Sequence, residues 1–158
     1  MINQRRTGYT VNQIADWYLS KSSMSPKKLQ KILYYAYAWV LTLSNDDINH
    51  LENRLFDDDI EAWAHGPVIY TVYEEYKLFG YNDIPRYDGE VVMLSEDISD
   101  ILNQVWDEYG SFTADQLESI THQESPWIRA REGVSPLAYS DKAISDRDIY
   151  KCYIERVA

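Results

Sequence analysis

The chain has 158 residues, 45% of them hydrophobic, which is enough for one domain with its own core and no disulfide or structural metal. Its formal net charge is -11, concentrated in residues 45–124, where three basic residues stand against 20 acidic ones. Such a field repels phosphates and speeds association with a basic partner, so nucleic acid is not the expected ligand. No apolar run approaches the roughly 18 residues of a membrane span, and the single cysteine, Cys152, excludes an internal disulfide or a cysteine-held metal cluster. The expectation is a cytoplasmic protein.

Residues 1–9 are polar, with Arg5 and Arg6, and read as a flexible leading segment before a domain over 10–158. Thr10 with Gln13 forms a capping box, predicting a helix over 11–21 with Val11, Ile14, Trp17 and Tyr18 on its apolar side. Ser25 followed by Pro26 opens a second helix, in which Leu29, Ile32, Leu33, Ala36, Val40 and Leu43 recur at spacings of three and four up to Ser44. The acidic stretch 45–59 suits a loop. Ile60 to Trp63 reads as a short helical turn ending at His65 and Gly66, and Pro67 as the start of a helix through Val72, Tyr73, Tyr76 and Phe79, closed by Gly80. Asp88-Gly89 between Tyr87 and Val91-Val92 predicts a short hairpin over 86–94. Further helices start at Ser95, Thr113, Ser125 and Ser145, the second with a capping box to Gln116. The fold expected is all-α, with about seven helices in one compact domain.

Among side chains able to do chemistry, the sequence offers no phosphate-binding glycine loop, dinucleotide fingerprint, metalloprotease histidine pair or serine elbow. His65 and His122, with Glu61, Glu124 and Asp115, are the one set able to hold a metal or exchange protons, but no ligand spacing joins them. The simpler reading has His65 bonded to loop backbone and a positive His122 ring at a helix C-terminus. Asp57-Asp58-Asp59 lacks the alternate-position ligands of a calcium loop. Lys27, Lys28 and Lys31 read as a solvated helix face, and Cys152 as a packing residue. No cofactor, no metal and no catalysis are expected. The 14 Tyr and five Trp, against three Phe, suit surfaces that are half wet.

Three groups of residues carry a family likeness. The first is Pro26, Lys28, Leu29, Gln30, Lys31, Tyr34 and Tyr35, with Trp39. Glu61, Ala62, Trp63, His65, Gly66, Pro67, Val68 and Tyr73 form the second, and Leu117, Thr121, His122, Pro126 and Trp127 the third. In this order they resemble the Panacea domain, also called the SocA-like or phage-associated GepA-like domain. The resemblance implies an antitoxin that binds and neutralises a cognate small protein toxin, directly or as an adaptor delivering it to the ClpXP protease, in a bacterial cytoplasm and often encoded by a phage. A second reading is a phage-encoded acidic inhibitor of a nucleic-acid-acting defence enzyme. Gly66 suits a close approach or a positive φ, and Trp39, Trp63 and Trp127 suit the core. Partner contacts are expected at exposed tyrosines and acids, with Asp57, Asp58, Tyr70, Glu74, Glu75 and Tyr87 as candidates.

Overall fold

The computed structural model describes residues 8–157. Among these the chain forms α1 (Val11–Lys21), α2 (Pro26–Leu43), β1 (Glu61–Trp63), β2 (Gly66–Val68), α3 (Tyr70–Tyr76), α4 (Glu96–Tyr109), α5 (Ala114–Thr121), α6 (Ser125–Ala130) and α7 (Asp146–Ile154). A single 3-10 turn, Lys77–Phe79, prolongs α3. The fold is thus mostly α-helical, as expected, with seven α-helices among the described residues. No helix among the described residues is long and apolar enough to cross a membrane.

The axis of the fold is α2. Ser25 accepts from the Lys28 amide and Pro26 fills the first helical position, where its missing N–H is not needed. From Leu29 to Thr42 every residue is buried except half-buried Trp39. A helix apolar all round belongs in a core, and α1, α3, α4, α5, α7 and β2 all pack on this one. Around it, α4 is amphipathic: Ile98, Leu102, Val105 and Tyr109 face inward, while Glu96, Asp97, Asp100, Asp107 and Glu108 are exposed. Both expected capping boxes form, at Thr10 with Gln13 and at Thr113 with Gln116. Within the acidic loop, the Asn45 side-chain amide donates to Leu41 O and Asn53 O, which lets Leu55 and Phe56 reach the core.

Several expectations are corrected. Residues 60–63 are not a helical turn and Pro67 starts no helix: β1 and β2 pair antiparallel, with Glu61 opposite Val68, Ala62 opposite Pro67 and Trp63 opposite Gly66. The Ala62 N–H points away from β2, to Lys142 O (2.9 Å), so Pro67 sits where no ladder donor is required. On the same outer edge Ile144 N donates to Ile60 O (2.7 Å). The helix after the hairpin begins only at Tyr70. Residues 86–94 form no hairpin: the Tyr87 amide is bonded to Leu19 O near the end of α1, and the Ile84 amide just before the segment to Met24 O between α1 and α2. An isolated pair of strands has little stability to set against such docking. At α6 the N-cap is Glu124 rather than Ser125. Of the leading segment, residues 1–7 lie outside the described residues, but Tyr9 is fixed, its hydroxyl accepting from Ser95 N (2.9 Å).

Candidate functional site

The β1–β2 hairpin is gripped by side chains from α2, α5 and α6. The Gln30 amide exchanges two hydrogen bonds with the Ile69 backbone, Oε1 accepting at 2.8 Å and Nε2 donating at 3.1 Å. Next to it, Lys31 is buried and donates to Pro67 O (3.2 Å). Burial lowers its ammonium to about 7, helped by nearby Lys27 and opposed by Glu118. The expectation of a solvated lysine face therefore fails at Lys31. Gly66 makes this approach possible: its φ is 111°, and a Cβ there would lie 2.7 Å from Lys31 Cε and 3.2 Å from Thr121 Oγ1. From α6, the Trp127 indole donates to Trp63 O (2.9 Å). Buried Arg131 donates to Ala62 O (2.8 Å), Ser135 O (3.0 Å) and Ala138 O (2.6 Å).

The two histidines depart from their expected roles. His65 is exposed, and its Nδ1 lies 3.2 Å from a Glu118 oxygen rather than on loop backbone. His122 stacks on Trp127 with centroids 3.9 Å apart, and burial lowers its pKa, which disfavours a positive ring at the helix end. Its Nε2 is buried and finds no hydrogen-bond partner among the described residues. Glu118, a residue sequence reasoning missed, also takes Lys27 Nζ at 2.5 Å, while Asp115 takes the same ammonium at 2.7 Å. Lys28 donates to Gly110 O and lies over Trp106. No three His, Cys, Asp or Glu side chains among the described residues form a group fit for a metal.

Tyr34 and Tyr35 serve a second buried network. One Glu124 oxygen accepts from the hydroxyls of Tyr35 and Tyr153, both at 2.8 Å, and the other from Arg156 Nη2 at 2.8 Å. Tyr34 OH lies 3.1 Å from Tyr153 OH, and Tyr35 stacks on Tyr109 at 3.9 Å. Desolvation raises the pKa of Tyr34, Tyr35 and Tyr153. These contacts explain tyrosine rather than phenylalanine inside the core: the hydroxyls that tie α2 to α7 all find acceptors.

Outside this scaffold, four rings meet on the surface where the hairpin, α3 and the segment before α7 converge. Trp63 lies 4.9 Å from Tyr73 and 5.5 Å from Tyr139 between centroids, and Tyr70 lies 6.0 Å from Tyr73. Trp63 is half-buried, whereas Tyr70 is 48%, Tyr73 37% and Tyr139 66% exposed. Carboxylates border them: Glu61 accepts from the Trp63 indole (2.8 Å) and Glu74 from the Tyr70 hydroxyl (2.9 Å). Of the expected contact residues, Tyr70 and Glu74 stand on this face, and Asp58 lies nearby, accepting from Thr71 (2.7 Å). Asp57 is exposed beside Arg54. Glu75 turns to Asn12 on α1, and half-buried Tyr87 packs beyond α1. Sequence reasoning missed Tyr139, which sits in a segment without periodicity. Elsewhere a groove of about 430 Å³ runs between α2, α4 and α7, lined by Trp39, Leu43, Ile101 and Tyr109 among others.

Comparison with known proteins places this geometry in a family. No curated protein matches the chain, and no solved structure does. Residues 29–128, from the hydrophobic stretch of α2 through the hairpin to the Trp127 helix, match the family described as antitoxin SocA-like, Panacea domain. The chain belongs to the SocA-like Panacea antitoxin family.

Proposed function

We propose that this protein is the antitoxin of a toxin–antitoxin pair, neutralising a cognate protein toxin by binding it, without chemistry of its own. The observation that carries the reading is the exposed cluster of Trp63, Tyr70, Tyr73 and Tyr139 with its acidic border. Large rings held in place at an exposed site supply contact area with little loss of conformational freedom, and Trp and Tyr dominate binding hot spots. The net charge of -11 favours a basic toxin and fast encounter with it. Family membership supplies the antitoxin role. The motif residues around Gly66 then act as scaffold: they fix the hairpin, and the hairpin presents Trp63.

The test is expression of the small open reading frames next to the gene, alone and together with this protein, followed by tagged recovery at low and high salt. A stoichiometric small partner that is toxic alone and harmless in company is the expected result. Toxin that persists in the complex indicates sequestration, and toxin that disappears only when ClpXP is present indicates adaptor delivery. Recovery of a nuclease in place of a toxin would replace this reading with the inhibitor one.

A further inference from the structure

We infer that the aromatic face recognises a lysine or arginine side chain of its partner, seated against Trp63 and Tyr139 between the carboxylates of Glu61 and Asp141. The inference rests on the protein-binding reading above and names the chemistry of that site. Aromatic faces attract cations through their quadrupole, and a carboxylate beside the ring adds Coulomb attraction. One corner of the face already shows this chemistry within the chain. Lys77 Nζ stands 5.9 Å from the Tyr73 centroid and within 3.2 Å of both Glu74 oxygens. The opposite corner repeats the ingredients: Trp63 against Tyr139, Glu61 held by the Trp63 indole, and the charges of Glu61 and Asp141 both acting on Tyr139. There the cation is missing, since neither Glu61 nor Asp141 forms an ion pair with a described residue.

Other occupants fit less well. An acidic or phosphorylated segment would meet Glu61, Glu74 and Asp141 at once. A purely apolar segment would leave Glu61 and Asp141 desolvated without a cation. The buried Arg131 does not fill the corner either, because its guanidinium is committed to the carbonyls of Ala62, Ser135 and Ala138.

The test uses the full chain, isotope-labelled, and follows the Trp63 indole and the Tyr73 and Tyr139 ring signals in solution NMR while N-acetyl-arginine amide is added. N-acetyl-citrulline amide, the same shape without the charge, is the control. Saturable shifts confined to these rings with the arginine probe, absent with citrulline and weakened about fivefold in Tyr139→Ala and in the Glu61→Gln, Asp141→Asn pair, are expected. Tyr139 and Asp141 lie on an exposed segment, so Tyr139→Ala and Asp141→Asn singly serve as folded controls against any loss of structure. Equal shifts with both probes, shifts spread over the acidic side of α4, or none at all would overturn the inference. Neutralisation of a co-expressed toxin is read separately. A seated probe with no neutralised partner would sink the antitoxin reading alone, and neutralisation without a seated probe would sink only the cation site.

Discussion

Gln30 and Ile69 are joined as two residues of neighbouring β-strands would be, except that one partner is a side chain. The buried amide of Gln30 takes the place of a backbone peptide and satisfies both the N–H and the C=O of Ile69, the residue between β2 and α3. Gln30→Ala leaves the buried Ile69 N–H without its acceptor, while the Ile69 C=O keeps the Val72 and Tyr73 amides, and should destabilise the protein by about 1–3 kcal/mol. Gln30→Glu keeps the acceptor but sets a buried carboxylate against the Ile69 oxygen, so it should cost at least as much as Gln30→Ala at neutral pH. Urea unfolding followed by circular dichroism measures both.

Gly66→Ala tests the approach of Lys31. The substitution meets an unfavourable positive φ and a 2.7 Å contact with Lys31 Cε, so a loss of roughly 2 kcal/mol or more is expected. Adding Lys31→Ala removes the contact but not the backbone strain. The double variant should therefore lose less than the sum of the single ones, and a double-mutant cycle on unfolding free energies reads the difference.

Lys31 also sets a pH dependence. Its ammonium is lowered to about 7 in the folded chain, against an ordinary value of 10.5. Between these values the unfolded chain holds a proton that the folded chain has released, so stability rises with pH, by at most about 1.4 kcal/mol per unit. The opposite trend sets in near pH 10, where unfolded tyrosines ionise and the buried ones resist. Unfolding measured from pH 7 to 9 should show the rise, and Lys31→Met should flatten it. A variant with the same slope as the parent would remove Lys31 as the cause.

Glu124 holds α7 to α2 through two tyrosine hydroxyls and Arg156. Glu124→Leu leaves three donors without their acceptor and is expected to cost about 3 kcal/mol. Tyr153→Phe keeps the ring but removes one donor to Glu124 and leaves the buried Tyr34 hydroxyl without its partner, so it should cost about 2 kcal/mol. Hydrogen exchange should show faster opening of α7 than of α4 in both variants.

Tyr73→Ala and Tyr139→Ala separate binding from folding. At a true hot spot each should weaken toxin binding by about 2 kcal/mol or more, while the exposed Tyr139 side chain leaves stability within about 0.5 kcal/mol. Isothermal calorimetry with the purified toxin and a thermal melt of each variant measure the two quantities. Unchanged affinity in both variants would move the contact surface off this face.

The elements that sequence reasoning found are those whose signals are local. Thr10 with Gln13 and Thr113 with Gln116 place helix starts through bonds that span three residues, and the three-and-four spacing from Leu29 to Leu43 needs only the helix itself. The hairpin was illegible because each strand is three residues long and its outer edge is completed by residues 142–144, far along the chain. Lys31 was misplaced for a similar reason. A lysine among lysines reads as surface until Gly66 on another element is seen to make room for it. The aromatic face was half legible: Tyr70 and Glu74 share a helix face, but Tyr139 reaches Trp63 only through the tertiary fold.

The bonds from residues 142–144 to β1 carry a consequence for synthesis. A ribosome makes the hairpin long before it makes the segment that covers its edge. Until then the strand bearing Trp63 presents open backbone donors and acceptors, a template for unwanted pairing. The surface that brings Trp63 beside Tyr139 is completed only when residues 139–144 have emerged. A copy halted before residue 139 would thus lack the proposed binding face while exposing a sticky edge.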